Sequence, residues 1–396
     1  MGELRLLVFC PYFPPHVGGL EGYASDLNDV LLDSGDIAAI TVLTPRLPPT
    51  GAVEEHRRAG YRVLRYPALE LIPNFPVPKL WRGEFWRAVR SAQLARHDVY
   101  VSHTRFFLTS AMALACARAR SRPLLHVEHG SDFVQLSGHA SRAAARIYDL
   151  TLGRLVLRRA DGVVAISQAA ADFVRRLVGR EVAVVHRGLH AERLLATVAD
   201  AGVLEWAGGR PVVAFVGRLI DGKGVADLLR AFAGLTGPPS VLCVVGDGPR
   251  HADLQALADA LALGERVRFL GYLEEERAWS VMRAADVVVN PSYTEGLPTS
   301  VLEAALLGKA VLATDVGGTS EIVTDGEGAM LVDPRDIEGL KRGLDELLTD
   351  RELRERLGAA ARESASGRFD WSVSAARFAS LAAGLLETRR STRAPG

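Results

Sequence analysis

Two carboxylates stand eight positions apart in Asn290-Pro-Ser-Tyr-Thr-Glu295-Gly-Leu-Pro-Thr-Ser-Val-Leu-Glu303-Ala. Glu295 lies in a Gly/Pro turn and Glu303 in the apolar stretch behind it, so the segment reads as strand end, turn and helix start. Such a turn suits a phosphate-bearing ligand, because the first helical N–H groups have no internal partner and the helix dipole favours anions. The same residues allow a plainer reading. Ser300-Val-Leu-Glu303 has the spacing of a capping box, in which Glu303 only closes the helix start.

A second group sits in Phe215-Val-Gly-Arg218-Leu-Ile-Asp-Gly-Lys223-Gly. A strand ends there, and two cations five residues apart flank the turn. Arg offers a planar fork and Lys a compact charge, a pair that suits a diphosphate. Lys223 alone would be a solvated turn residue. With a diphosphate held by Arg218, Lys223 and a helix N-terminus, the carboxylates gain a role as acceptors for sugar hydroxyls, Glu295 for a hexose and Glu303 for a ribose.

A third turn, Pro11-Tyr-Phe-Pro-Pro-His-Val-Gly18-Gly19-Leu20-Glu21, joins the first strand to the first helix. Adjacent glycines let backbone approach a ligand closely, and the alternative is a tight turn with no ligand. It is neither a P-loop nor a dinucleotide fingerprint, since the Gly-Lys-Ser/Thr and Gly-x-Gly-x-x-Gly spacings are both absent. His129, in Leu124-Leu-His-Val-Glu128-His129-Gly130, stands at a strand boundary beside Gly, where it can reach a ligand or act as acid or base. A structural histidine is the alternative, and His126 inside the strand is read that way. No Asp-x-Asp occurs and no cluster has metal-ligand spacing, so a leaving diphosphate would rely on cations and helix dipoles without an obligatory metal.

The elements that must position these residues alternate. Apolar strands are expected at 4–10, 37–44, 61–66, 98–103, 124–128, 162–167 and 182–186, with amphipathic helices between most of them. Residues 72–79 are punctuated by prolines and are expected to be a loop. A second alternation runs from 212 to 348, and a last Ala/Leu-rich helix is expected at 372–387. Two α/β alternations of similar length imply two Rossmann-like domains with ligands outside the carboxyl ends of their strands. The expected boundaries are a first domain over 1–195, a linker over 196–210, a second domain over 211–370, and a C-terminal helix and tail over 371–396 that returns to the first domain.

Bulk properties agree with this frame. The chain of 396 residues is 48% hydrophobic and 24% charged, with a formal net charge of zero. Residues 1–200 carry 25 Lys and Arg against 19 Asp and Glu, a net +6, and the remainder carries the balancing −6. No apolar run is long enough to span a bilayer. No signal-peptide pattern opens the chain, and three scattered cysteines suit a reducing compartment, so a cytoplasmic setting is expected. The segment 79–87, with Trp81, Phe85 and Trp86 among basic residues, is either a core-facing aromatic stripe with solvated arginines or a face for anionic lipid.

Taken together, these residues resemble the retaining glycosyltransferases of the GT-B fold, most closely the nucleotide-sugar-dependent family 4. The resemblance runs from about Leu4 to about Leu348. Its motifs are Gly217-Arg218…Lys223-Gly224, Gly246-Asp-Gly-Pro249, Phe269-Leu270-Gly271, Pro291-Ser…Glu295-Gly296…Glu303 and Gly317-Gly318…Glu321. It implies an α/β fold of two Rossmann-like domains facing across a cleft. It implies that Arg218 and Lys223 neutralise the leaving diphosphate, that Glu303 binds ribose and Glu295 the donor sugar, and that Gly296 and Leu297 belong to the same donor site. It places His129 beside the sugar, Leu270 at the border of the base, and Gly18 and Gly19 against the diphosphate or the acceptor. The activity implied is hexose transfer from a UDP- or GDP-sugar to a glycan, lipid-linked or small-molecule acceptor, with no cofactor and no nucleic acid, possible also at the inner face of a membrane. His186-Arg187-Gly188 departs from the usual Asn-Gly, which bears on acceptor contacts. The competing readings are a nucleotide-sugar epimerase, a phosphorylase, and a non-catalytic nucleotide-sugar-binding subunit.

Overall fold

The computed structural model describes residues 4–16, 18–72, 75–134 and 139–391. The chain divides into two units, 1–188 with 371–396, and 189–370.

The first unit is built on a sheet of eight strands. These are β1 (Leu4–Phe9), β2 (Ile37–Pro45), β3 (Glu54–Arg58), β4 (Tyr61–Tyr66), β7 (Val99–His103), β8 (Leu124–Glu128), β9 (Gly162–Ala165) and β10 (Ala183–Val184), and β5 (Ala68–Ile72) and β6 (Phe75–Pro78) pair apart from them. The order is β10-β9-β8-β7-β1-β2-β4-β3, parallel except for β3. The central strands β7 and β8 are buried along their whole length and β1 over its last four residues, as cover on both faces requires. Helices α1 (Gly19–Asp33), α2 (Gly83–Leu94) and α3 (Leu108–Ala119) are the first of those that cover it.

The second unit holds a six-stranded parallel sheet. Its strands are β11 (Val212–Val216), β12 (Val241–Val245), β13 (Val267–Gly271), β14 (Val287–Asn290), β15 (Ala310–Thr314) and β16 (Met330–Val332), in the order β13-β12-β11-β14-β15-β16. Chain order therefore reverses beside β11, and β14 lies on its other side. One core packs Val213, Phe215, Leu242, Val244 and Leu312 against Leu228, Phe232, Leu340 and Leu344.

Several expectations need correction. Part of the proline-punctuated stretch is not a loop, since Ala68–Ile72 and Phe75–Pro78 form an antiparallel ribbon. Pro76 and Pro78 are two positions apart, so their missing N–H groups fall on one edge, and a two-stranded ribbon has an edge to spare. Residues 73–74 lie outside the described residues. The interval 196–210 is not a bare linker. It contains the helix Ala201–Ala207, capped by Asp200 and burying Val203 and Ala207. From His139 to Arg159 the chain is helical throughout, with a π-helical turn at Asp149–Gly153 between two α-helical stretches. The helix Arg351–Ala365 was not expected, because its sequence is largely polar. Of the three aromatic residues around α2 only Phe85 is core, beside Ala88 and Ala92, while Trp81 and Trp86 are exposed, so the aromatic stripe does not face inward as a unit.

The last helix, Trp371–Ser391, belongs to the first unit. Trp371, Ala375, Phe378 and Ala382 are buried there, and Ser374 Oγ donates to the carbonyl of His186 at 2.8 Å. Truncating a fully buried aromatic leaves a cavity that its neighbours fill only in part. Phe378→Ala should therefore lower the unfolding free energy of the first unit by about 3–5 kcal/mol, read by urea denaturation.

Candidate functional site

In a doubly wound sheet the loops beyond the carboxyl ends diverge where strand order reverses, and ligands bind there. In the second unit this point lies between β11 and β14. The loop after β11 carries Arg218 and Lys223, and the loop after β14 carries Glu295.

The two loops are locked together. Gly224 has φ +65°, and a Cβ at this position would lie 2.0 Å from the carbonyl oxygen of Pro291, so only glycine allows this approach. Tyr293 N–H donates to the Gly222 carbonyl at 2.8 Å. Lys223 Nζ meets Glu295 Oε1 at 2.6 Å, and Ser292 Oγ donates to the same oxygen at 2.6 Å. Asn290 Nδ2 bonds Ser300 Oγ at 3.0 Å. Tyr293 is fixed at its other end, where its hydroxyl donates to Asp227 Oδ2 at 2.7 Å and the Arg335 guanidinium lies 4.2 Å over its ring. The structure thus brings Lys223 and Glu295 into direct contact. Arg218 is half-buried on the same loop, one residue before Leu219, whose N–H bonds the Asp247 carbonyl at 2.9 Å.

Glu303 sits inside the helix Thr299–Leu306 and is buried. Its Oε1 accepts from Trp279 Nε1 at 2.9 Å. The capping-box reading is overturned here, because the N-cap is Pro298, makes no side-chain cap bond, and leaves Ser300 within the helix. Trp279, in the buried face of Glu275–Ala284, was missed by sequence reasoning. Its only signal was an aromatic in an amphipathic helix, which normally marks core. Gly296 bonds through its carbonyl to Gly318 N–H at 3.0 Å, Leu297 is buried, and Leu270 is half-buried on the edge strand β13.

In the first unit, Gly18 precedes α1 in an extended conformation and Gly19 opens the helix. A Cβ on Gly18 would reach 2.4 Å from Glu21 Oε2, whereas one on Gly19 would meet nothing within 4 Å. Glu21 is buried and pairs with His16 Nδ1 at 2.5 Å, and the His16 ring stacks on Tyr12 at 4.3 Å. The departure at 187 has a structural use. Arg187 is buried, donating from Nη1 to the Gly19 carbonyl at 2.8 Å and lying 3.4 Å from Asp26 Oδ2. The glycine turn is therefore held from the far end of the domain sequence.

His129 follows β8, and its Nε2 lies 3.1 Å from His103 Nδ1 at the end of β7, with the Tyr23 ring edge-on at 4.9 Å. Glu128 fixes the turn, because its Oε1 accepts the N–H groups of His129 at 3.0 Å and Gly130 at 2.8 Å. Glu128 is fully buried and is matched by Arg105 at 3.0 Å, which also reaches Asp149 at 3.1 Å. Burial alone would raise the Glu128 carboxyl. Arg105, His126 and the Gly130 N–H outweigh it and hold Glu128 well below the usual range. Burial pushes His129 down to about 3, and pushes His103 well below its ordinary value with help from the neighbouring imidazoles. Among the described residues no group of three or more His, Cys, Asp or Glu side chains is placed to hold a metal ion.

Comparison with known proteins gives consistent relatives. Residues 199–364 match the family model described as glycosyl transferases group 1, and residues 17–193 match that of glycosyltransferase family 4. The chain is 32% identical over 386 residues to an uncharacterized glycosyltransferase of Methanocaldococcus jannaschii, covering 96% of this chain and 98% of that one. It is 29% identical over 398 residues to the GDP-mannose-dependent alpha-(1-6)-phosphatidylinositol monomannoside mannosyltransferase of Mycolicibacterium smegmatis, with 96% and 98% covered. Its fold is similar to that of the sucrose-phosphate synthase of Thermosynechococcus elongatus, with a TM-score of 0.82 at 23% identity over 98% of this chain and all of that one.

The depressed histidines make stability depend on pH. They stay neutral in the folded chain but take up protons near 6.5 when unfolded, so their contribution is complete above 6.5 and is lost as pH falls. Each costs about 1.4 kcal/mol per pH unit below that point. His97, pushed down to about 4 by burial, acts in the same direction. Urea unfolding at pH 7.5 and 5.5 should show a clear loss at the lower pH, and His103→Asn should flatten that slope. An unchanged stability across this window would contradict the buried, neutral state.

Proposed function

The chain belongs to the family 4 glycosyltransferases of the GT-B type, enzymes that take a sugar from a nucleotide sugar, and from that premise we propose a retaining, metal-independent transfer of a hexose from a UDP- or GDP-sugar to an acceptor hydroxyl. The observation that carries this reading is the Lys223–Glu295 contact between two strand-end loops at the switch point of the second sheet. A cation and a carboxylate are held there by backbone that only Gly224 permits. An arriving diphosphate competes with Glu295 for Lys223, and Arg218 on the same loop adds a second cation. The Glu295 carboxylate is then released toward the hydroxyls of the donor sugar. Gly296 and Leu297 support it from the same turn.

Glu303, oriented by Trp279, accepts from the ribose hydroxyls, and Leu270 with its neighbouring backbone borders the base. In the first unit the open face of Gly19 leaves room for the acceptor, Gly18 accommodates Glu21, and His129 serves the transferred sugar. Transfer breaks the bond from the anomeric carbon to the diphosphate oxygen. The acceptor oxygen bonds the same carbon on the same face, and the acceptor proton passes to the leaving phosphate oxygen. No protein nucleophile is needed. Arg218 and Lys223 offset the charge that develops on the leaving group, the part a metal plays in other transferases. Similarity to the Mycolicibacterium smegmatis mannosyltransferase supports GDP as the nucleotide and a lipid-borne acceptor, and with it a peripheral membrane contact.

Lys223→Ala and Glu303→Gln should each lower kcat/KM at least tenfold while the melting temperature stays near that of the parent. A thermal-shift titration with GDP, UDP and ADP should single out one base, because a ligand that binds only the folded state stabilises it by mass action. Nucleotide affinity unchanged in both variants would show that the donor site is misassigned. Turnover should also persist in EDTA, and its complete loss would contradict the metal-independent step.

A further inference from the structure

Helix α2 presents a surface that takes no part in the transfer described above. Arg82, Trp86, Arg90 and Leu94 recur at intervals of four and are all exposed, so they form one stripe along the helix. Trp86 is 58% exposed and Leu94 77%, and Leu80 and Trp81 just before the helix are 52% and 69% exposed. Single exposed apolar side chains are ordinary, but four within 15 residues, interleaved with guanidinium groups, are not. The Trp86 indole N–H donates to the Leu80 carbonyl at 2.8 Å. Its polar hydrogen is therefore used within the chain, and what the ring offers outward is carbon. Beside the stripe, α2 and α3 enclose a groove of about 640 Å³ whose lining includes Arg87, Arg90 and Arg120.

The charge of this face selects its partner. Residues 79–96 carry Lys79, Arg82, Arg87, Arg90 and Arg96 against Glu84 alone, a net +4 in a chain whose total is zero. Glu84 is itself faced by Arg46 at 3.8 Å. A second copy docking here about a two-fold axis would set arginines against arginines, which repels. An anionic bilayer meets both demands at once. Indoles settle at headgroup depth, apolar side chains enter the acyl boundary, and arginines reach the phosphates with their stems lying along the apolar surface. No described helix is long and apolar enough to cross a membrane, so the contact is one of lying on the surface.

We infer that the exposed face of α2, with Leu80 and Trp81, docks the chain onto a bilayer of anionic phospholipid. It rests on the transferase reading only for its purpose, which is to hold the chain beside a lipid-borne acceptor. The test is co-sedimentation of the full chain with vesicles of phosphatidylcholine alone, and with vesicles in which about 30 mol% is phosphatidylglycerol. Binding to the anionic vesicles should be at least tenfold stronger and should weaken between about 0.02 and 0.15 M salt. Trp81→Ala with Trp86→Ala, and Arg82→Gln with Arg87→Gln and Arg90→Gln, should each reduce it at least tenfold without changing the melting temperature or nucleotide affinity. Equal binding to both vesicles at low salt, or variants that bind like the parent, would overturn the inference. So would a dimer in analytical ultracentrifugation that the tryptophan variant converts to monomer. Vesicle binding lost while the parent still binds nucleotide refutes the docking face alone, and vesicle binding without nucleotide binding refutes the transferase reading alone.

Discussion

The contact between Lys223 and Glu295 is the interaction on which the candidate donor site depends. Each residue closes a different strand of one parallel sheet, and parallel strands project their carboxyl-end loops to the same side. Those loops touch because Gly224 lets the first come against the Pro291 carbonyl. Tyr293 bridges them by backbone and hydroxyl bonds to Gly222 and Asp227. A half-buried ion pair of this kind lies between exposed pairs, worth under about 1 kcal/mol, and buried pairs whose breaking costs about 3–5 kcal/mol.

The first unit solves its positioning problem in another way. Its glycine turn and its histidine turn are both held by buried charge. Arg187 binds the Gly19 carbonyl, and Glu128 binds the amides of His129 and Gly130 while Arg105 balances it. A buried carboxylate without its arginine would be costly, so the loop and the ion pair stand or fall together. Arg105 also packs 4.3 Å over the Phe173 ring, which ties the polar cluster to the hydrophobic core. The surface of α2 shows the opposite economy, with aromatic carbon left in water beside cations. Its inner side meets the requirement of the fold through Phe85, and its outer side is open to another use.

Much of this was legible in the chain. Alternating apolar strands and amphipathic helices announced two doubly wound sheets, because strand and helix periods are local properties and turn residues punctuate them. The grouping of Arg218, Lys223 and Glu295 at strand ends followed from the same reading. The ribbon at Ala68–Ile72 and Phe75–Pro78 did not, since proline forbids a central strand but not an edge. Nor did the helix Arg351–Ala365, whose sequence is too polar to signal burial although Leu357 and Ala361 are fully buried.

What the sequence determined by itself was the kind of residue at each strand end, and hence the class of ligand. Only the tertiary structure decided the partners. Lys223 and Glu295 are 72 positions apart, and Arg187 and Gly19 are 168 apart. Trp279, and not Ser300, became the partner of Glu303, because the helix start fell two residues before the place the capping spacing suggested. Local patterns set element type, but a contact between distant residues depends on which strands become neighbours in the sheet, and that is settled only when the whole core packs.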